Sequence, residues 1–445
     1  MDPLTIGIGS LAVVTVLILL GFHIGVALAA TSFGGLYLIG GMRWSVPVAT
    51  LGNTAYNAVA DYVFAIIPLF VLMGLLAMAS GATRELFEAA KAALGRIRGG
   101  VGIATVMANA VFAAVTGVSV ASAAVFSRLA VPEMNRLNYD HRLSLGIVGA
   151  SALLGMLIPP SVLMIIYALL TDQSIGALFA AGVIPGLLVA GALSLAIWGM
   201  VSFNPALGGI GVPSRENEEN SGEPERSKAG KVLSPWPIYF LIAVVLGGIY
   251  GGAFTPTEAG AIGAIGAFFI YVVRGRFSLR EFTRLLLETG RVTASIFFLF
   301  ITASLYSRML AVSGLPAATA DWVVELNLPA IAVVIAFIIV ILIMGCFIDS
   351  VSILLLTMPI MVPVIQTLGY DLVWFGIVAI VAVEIGMLTP PFGMVLFVMK
   401  ASLPYKVDIT EIIMGVLPFI GVLMATLALL VAFPWLTLVL PRLLF

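Results

Sequence analysis

Apolar residues occur along the chain in long runs that are separated by short polar segments. Runs of this kind predict membrane-spanning helices, because one span needs about 20 mainly apolar residues. The predicted spans cover residues 4–20, 22–40, 63–80, 144–170 and 176–203, then 237–253, 258–273, 292–310, 372–399 and 412–436. Two further apolar stretches, at 100–130 and 330–360, carry polar residues near their middle. These two stretches predict helical hairpins.

The composition supports the membrane interpretation. The chain has 445 residues, of which 61% are hydrophobic and 10% are charged, whereas soluble domains carry about 25% charged residues. The polar stretch at 204–234 holds most of the charge between the apolar halves and predicts a connector. The sequence therefore predicts an all-α polytopic membrane protein. We expect its first apolar segment to be retained as a span.

Structure-breaking residues recur at a constant offset of 231 positions. The motif GMLIPPS, with Pro159 and Pro160, matches GMLTPPF, with Pro390 and Pro391. A single shared proline would be weak evidence, because kinks are common in membrane helices. The recurrence predicts two repeats at 1–203 and 235–445. Each repeat contains one hairpin and one broken helix, the broken helices lying at 144–170 and 372–399.

Charge predicts that the repeats are inverted. Lys and Arg flank the first hairpin on both sides, whereas the flanks of the second hairpin carry Asp321, Glu325 and Asp371 and no Lys or Arg. Because basic loops stay in the cytoplasm, the hairpins should enter from opposite faces. An inverted repeat is typical of secondary transporters. The predicted topology has about ten crossings and two re-entrant hairpins, with both termini extracytoplasmic and the connector cytoplasmic.

The hairpin turns and the tandem prolines predict two cation sites that are related by pseudo-symmetry. Free carbonyls, hydroxyls and a carboxylate favour a hard cation such as Na⁺, whereas helix N-termini favour anions. The candidate ligands at the first site are Thr116, Gly117, Ser119, Gly155 and Pro159. Those at the second are Asp349, Ser350, Ser352, Gly386, Thr389 and Pro390. Ser122 and Ser161 are candidate donors to a bound anion.

Structural roles compete with these functional ones. Ser and Thr in membrane helices usually donate to their own i−4 carbonyl, so each single hydroxyl favours a structural role. Asp349 is a stronger candidate, because an acid at membrane depth is costly. Glu384 and Glu258 could bind a proton, but the position of Glu258 at a helix start favours a cap. The amphipathic segment 277–288 is compatible with an interfacial anchor or with a mechanical arm.

The sequence has few residues that could form redox, metal or nucleotide-binding sites. Cys346 is the single cysteine and His23 and His141 are the only histidines, so redox, zinc and haem sites are short of ligands. A nucleotide-binding loop is also missing from the sequence. We therefore expect neither an enzyme nor a cofactor other than a coupling Na⁺. Two alternatives stay open: an ion-translocating subunit of a membrane enzyme complex, and an intramembrane hydrolase.

Several strings resemble the large membrane subunit of tripartite ATP-independent periplasmic (TRAP) transporters over almost the whole chain. These strings are TGVSVASAAVFSRLAVPEM, GASALLGMLIPPSVLMIIYA, GGIYGGAFTPTEAGAIGA, DSVSILLLTMPIMVPV and EIGMLTPPFGMVLFVMK. The resemblance implies an elevator-type fold and Na⁺-coupled uptake of an organic acid anion, such as a C4-dicarboxylate or sialic acid, across a bacterial or archaeal cytoplasmic (inner) membrane. It also implies two partners: a small four-helix membrane subunit and an extracytoplasmic (periplasmic) substrate-binding protein.

Overall fold

The protein is described by a computed structural model that covers residues 2–209, 235–326 and 328–445. Within these ranges the chain is helical and contains no β-strand, apart from an isolated bridge between Tyr139 and Gly208. The all-α prediction is therefore confirmed. The predicted connector at 204–234 lies outside the described residues from position 210 onwards.

The helices follow the apolar runs of the sequence. The first are α1 (Pro3–Leu19), α2 (Ile24–Ile39), α3 (Ser45–Ala60), α4 (Ile66–Ala79) and α5 (Ala82–Leu94). The first hairpin and the helices after it are α6 (Gly100–Thr116), α7 (Ser119–Arg136), α8 (His141–Ala152), α9 (Leu154–Leu157), α10 (Val162–Thr171) and α11 (Ile175–Phe203). Sequence analysis assigned no element to α3, which carries several polar residues.

The second half begins with three helices that precede its hairpin region. These three are α12 (Trp236–Tyr250), α13 (Pro256–Val273) and α14 (Leu279–Ser313). The others are α15 (Leu315–Glu325), α16 (Ala330–Gly345), α17 (Ser350–Thr367), α18 (Leu372–Leu388), α19 (Met394–Ser402), α20 (Ile409–Ala432) and α21 (Trp435–Leu444). The pair α6/α7 forms hairpin 1, and the pair α16/α17 forms hairpin 2.

Helix length and composition qualify part of these helices as spans. In the described residues, six helices are long and apolar enough to cross a membrane, and the bent pair at His141–Leu157 and Val162–Thr171 would be a seventh. Seven shorter apolar helices have 10–17 residues. The number of crossings, about ten, and the two re-entrant hairpins stay predictions.

Most of the helices, all except α5 and α15, are divided here into two groups by their packing. The first, which we call the α14 bundle, consists of α1–α4 and α12–α14, with α4 against α13 and α2 against α14. The second, the hairpin bundle, consists of α6–α11 and α16–α21, with α8 against α20 and α16 against α18. Every residue of α18 is buried, as expected for a helix that is apolar on all sides.

Candidate functional site

The tip of hairpin 1 packs directly onto the broken helix of its own repeat. Gly117 ends α6 with φ +64°, a conformation that favours glycine. Its carbonyl accepts a hydrogen bond from the amide of Val162 at 3.3 Å. Gly155 lies against the start of α7, and a Cβ atom there would lie 2.7 Å from the Cα of Ser119. The tip of hairpin 1 therefore packs on the break between α9 and α10. This break includes a cis peptide bond at Pro159–Pro160.

Hairpin 2 meets the second broken helix in a corresponding way. The amide of Gly393 donates to the carbonyl of Cys346 at 3.2 Å, and Gly393 is separated from Val162 by the repeat offset of 231. Gly386 packs on Gly345, where an added Cβ would lie 2.6 Å from the Cα of Gly386. The Pro390–Pro391 peptide bond is cis, like its counterpart.

Asp349 has a structural role at the tip of hairpin 2. It is the N-cap of α17 and accepts from the amide of Ser352 at 3.1 Å and from its hydroxyl at 2.5 Å. Asp349 also lines a cavity and is half-buried. Ser350, the first residue of α17, is buried beside it.

Several candidate hydroxyls are engaged with backbone carbonyls. Thr116 donates to Phe112 at 3.1 Å and Thr389 donates to Ile385 at 2.7 Å. Ser161 donates to the carbonyl of Met156 at 2.5 Å and caps α10. These bonds use the hydroxyl hydrogens and leave oxygen lone pairs that can coordinate a cation.

Three polar side chains at the tip of hairpin 1 are buried without a hydrogen bond. They are Ser119 and Ser122 on α7 and Glu384 on α18, and both carboxylate oxygens of Glu384 lack a partner. The hydroxyl of Ser119 faces the carboxylate of Glu384, although the two do not meet hydrogen-bond geometry. An unpaired buried carboxylate is costly unless a proton or a cation accompanies it. Helix α18 therefore supplies an acid to the tip of hairpin 1.

A cavity of about 370 Å³ lies between the two tips and α14. Val118 of hairpin 1 and Asp349 and Val351 of hairpin 2 form one wall, and Arg291 and Ser295 of α14 supply polar groups opposite. The remaining lining residues are apolar: Val71, Met156, Val162, Val292, Ile296 and Leu299. The volume suits a small organic ligand.

A second cavity, of about 440 Å³, follows along α14 towards its N-terminus. It lies between Glu281, Arg284 and Glu288 of α14 and Arg128 of α7. In the topology predicted from charge this direction is the cytoplasmic one. A third cavity, of about 400 Å³, lies between α1 and hairpin 2, but its lining is almost entirely apolar. It therefore lacks the polar groups that would orient an anion.

The structure separates the sequence-derived candidates. It brings Ser119 and Gly155 together at one tip and Asp349, Ser350 and Ser352 at the other. Ser122 and Ser161 are buried and do not line the cavity between the tips, so their assignment to substrate stays a prediction. Glu258 forms a capping box with Thr255, which confirms the structural role favoured for it.

Sequence analysis did not identify Arg291 as a candidate site residue. The signal that distinguishes Arg291 is its position next to a predicted span, but the face of α14 that it occupies depends on tertiary packing. Glu384 was recognised as an acid near a helix break. Its closeness to Ser119 depends on the packing of α18 against hairpin 1, which the sequence does not specify.

Comparisons with known proteins agree with this architecture. Residues 11–436 match the sequence profile of the family described as "Tripartite ATP-independent periplasmic transporter, DctM component". The C4-dicarboxylate TRAP transporter large permease protein DctM of Pseudomonas aeruginosa is 36% identical over 398 residues, which are 89% of this chain and 90% of the relative. The sialic acid TRAP transporter large permease protein SiaM of Vibrio cholerae is 33% identical and covers 87% of this chain and 88% of its own.

Among solved structures, the YdaH transporter of Alcanivorax borkumensis matches with a TM-score of 0.61 at 17% identity. The match covers 87% of this chain and 89% of that one, so the fold is one that occurs in a membrane transporter. With its apolar helices, the chain is a multi-pass membrane protein. The relatives are transporter permeases, which disfavours both alternatives kept open above. The chain belongs to the TRAP transporter family as a large permease subunit of the DctM type.

Proposed function

We propose that this chain is the large membrane subunit of a Na⁺-driven secondary importer of organic acid anions. The observation that carries the proposal is the cavity between the two tips, in which helix N-termini and Arg291 surround an apolar space. The starts of α7 and α17 both reach this cavity, and helix N-termini favour anions. Relatives named for C4-dicarboxylate and sialic acid support a carboxylate substrate.

The proposed Na⁺ sites lie at the two tips. At hairpin 1, the carbonyls around Thr116 and Gly117 combine with the hydroxyl of Ser119 and the carboxylate of Glu384. At hairpin 2, the carboxylate of Asp349 combines with the hydroxyls of Ser352 and Thr389. Such oxygen sets suit a hard cation. Inward movement of Na⁺ supplies about 2.3 kcal/mol per charge per 100 mV of membrane potential, so ATP is not needed.

The proposed mechanism is an elevator movement. The hairpin bundle contains both tips, both broken helices and every proposed Na⁺ ligand, whereas the α14 bundle contributes the opposite wall of the cavity. A displacement of one bundle along the other would expose the cavity alternately to the two sides of the membrane. Each tip is hydrogen-bonded to a broken helix, through Val162 and Gly117 at hairpin 1 and through Gly393 and Cys346 at hairpin 2. These contacts support movement of the hairpin bundle as a unit.

The proposed assembly has two partners in a bacterial or archaeal inner membrane. A small four-helix subunit would cover the lipid-facing surface of the α14 bundle, and an extracytoplasmic binding protein would deliver the acid. Family membership supports a tripartite assembly. The identity of the acid depends on the binding protein and on the few polar groups of the cavity.

Uptake into proteoliposomes tests the coupling. The chain is reconstituted with its two partners, and accumulation of radiolabelled succinate and of N-acetylneuraminate is measured with and without an inward Na⁺ gradient. We expect accumulation of one acid that depends on the gradient. Equal accumulation in the presence and absence of the gradient would contradict Na⁺ coupling.

Asp349→Asn tests the second site. Asn is also a good N-cap, so the variant removes the negative charge while it keeps the start of α17. We expect the Na⁺ concentration for half-maximal uptake to rise by about tenfold or more, the loss of one charge-assisted ligand. The matched control is Asp371→Asn, which changes the N-cap of α18 away from the tips. An unchanged Na⁺ dependence in Asp349→Asn would remove this residue from the site.

A further inference from the structure

Arg291 is the cationic side chain at the cavity between the hairpin tips. It belongs to α14, and Ser295 lies one turn further along the same face. Both side chains are exposed and line the cavity opposite Asp349 and Val351. Arg291 is therefore the cationic residue in a lining that is otherwise mostly apolar.

The charge of Arg291 is not compensated within the described part of the chain. The ion pairs found there do not include it. Asp349 lines the same cavity, but its carboxylate lies beyond ion-pair distance of Arg291 and accepts hydrogen bonds from the amide and hydroxyl of Ser352. An exposed arginine at a mostly apolar cavity can pair with an anion that enters it. A cavity with this cation facing two helix N-termini suits a bound anion.

We propose that Arg291 binds a carboxylate of the transported acid from the α14 side of the cavity. The inference rests on the proposed function and adds to it a specificity-determining residue. Guanidinium is suited to this role, because its planar fork can donate two parallel hydrogen bonds to one carboxylate. The apolar lining then contacts the carbon skeleton, and Ser295 offers a hydroxyl beside the same group.

The position of Arg291 makes this contact dependent on conformation. The helix N-termini that face the acid belong to the hairpin bundle, whereas Arg291 belongs to the α14 bundle. In the proposed elevator movement an acid bridges the two bundles only while the tips face Arg291, as they do here. Arg291 therefore increases affinity for the acid in this arrangement and is separated from it when the hairpin bundle moves.

The test is ligand-dependent thermal stability of the purified complex of this chain with its small subunit. Succinate, N-acetylneuraminate, gluconate and pyruvate are titrated at saturating Na⁺, with succinamide as an uncharged probe. We expect at least one acid to raise the melting temperature of the unsubstituted protein. In Arg291→Gln the half-saturating concentration of that acid should rise by about 10- to 100-fold, the range for one charged hydrogen-bonded partner. Arg291→Lys should fall between the two.

The matched control is Arg280→Gln, which removes the same charge from an exposed position on α14 outside the cavity. Equal acid affinities in Arg291→Gln and the unsubstituted protein would overturn the role of Arg291 and leave the proposed function intact. A changed Na⁺ dependence with unchanged acid affinity would overturn it too, since Arg291 would then act on Asp349. If no acid stabilises the unsubstituted protein, both proposals fail. If Arg291→Gln does not fold, Arg291→Lys decides by the same comparison.

Discussion

Gly155 determines how closely the tip of hairpin 1 approaches the broken helix of its repeat. Gly155 lies where a methyl group would be 2.7 Å from the Cα of Ser119 and 2.8 Å from its amide nitrogen. Because these are backbone atoms, the tip would have to move to accept Gly155→Ala. Overpacking of this kind costs about 1–3 kcal/mol. We expect a lower melting temperature of the purified protein and a loss of Na⁺-dependent uptake.

Gly191→Ala is the control for this substitution. Gly191 lies within α11, and a Cβ atom there would have no neighbour within 4 Å. The same change in helix propensity therefore occurs without a clash, and stability should hold or rise slightly. If Gly155→Ala and Gly191→Ala had equal melting temperatures, the tight contact at the tip of hairpin 1 would be refuted.

The variant Glu384→Gln tests whether this acid belongs to the first Na⁺ site. Glu384→Gln has nearly the same volume and breaks no hydrogen bond, because the carboxylate has none. Stability in Na⁺-free buffer should therefore not fall. In contrast, the stabilisation by NaCl relative to choline chloride should be lost, since a ligand at about 100 times its Kd adds about 2.7 kcal/mol.

The exposed carboxylate of Glu288, on α14, provides the comparison for Glu384. Glu288→Gln removes one negative charge outside the tips and should keep the full response to NaCl. A normal Na⁺ response in Glu384→Gln would show that this acid is not part of the first cation site.

The residues at the tips differ in how far the sequence could reveal them. Glycines and tandem prolines can be recognised in the sequence because their effect on the backbone is local. Gly117 adopts a positive φ, and Pro159 and Pro390 lack a backbone donor. Arg291 and Glu384 matter because of what faces them. That relation depends on the packing of α14 and α18, which the sequence pattern does not specify.

Among the helices, α14 departs most from the sequence interpretation. The apolar pattern predicted an amphipathic segment at 277–288 and a separate span at 292–310, because Gly290 and Arg291 interrupt the apolar run. The structure joins them in one helix of 35 residues, which is about 50 Å long at 1.5 Å per residue. Gly290 is therefore helical and does not mark a turn.

This continuity predicts that Gly290→Ala is stabilising. A Cβ atom at position 290 would have no neighbour within 4 Å, and Ala is favoured over Gly in a helix interior by up to about 1 kcal/mol. The melting temperature of the purified protein should rise and uptake should persist, if α14 acts as a rigid support.

Gly290→Pro gives the opposite test at the same position. Proline would remove a backbone donor and cost about 3 kcal/mol in a helix interior. We expect a lower melting temperature and a loss of uptake. If Gly290→Ala abolished uptake while Gly290→Pro preserved it, α14 would need to bend during transport and its rigidity would be disproved.

For the whole molecule, the division into two bundles leads to the most direct test of the proposed movement. Ser295 and Val351 line the same cavity from the α14 bundle and from the hairpin bundle, respectively. Cysteines at both positions, in a Cys346→Ala background, can be joined by a short bismaleimide. Because the linker ties the two bundles together, we expect uptake to fall by about tenfold or more in proportion to the cross-linked fraction, measured by mass spectrometry.

Two controls separate restricted movement from a filled cavity. The first attaches monofunctional maleimides to the same two cysteines, which adds similar bulk without a link. The second joins Gly176→Cys to Phe445→Cys, where a Cβ at 176 would lie 2.8 Å from the Phe445 ring. Both positions belong to the hairpin bundle, so this link should leave uptake intact. Full uptake after complete joining of Ser295→Cys to Val351→Cys would mean that the two bundles do not move against each other, because a rigid tether across their interface would then cost nothing.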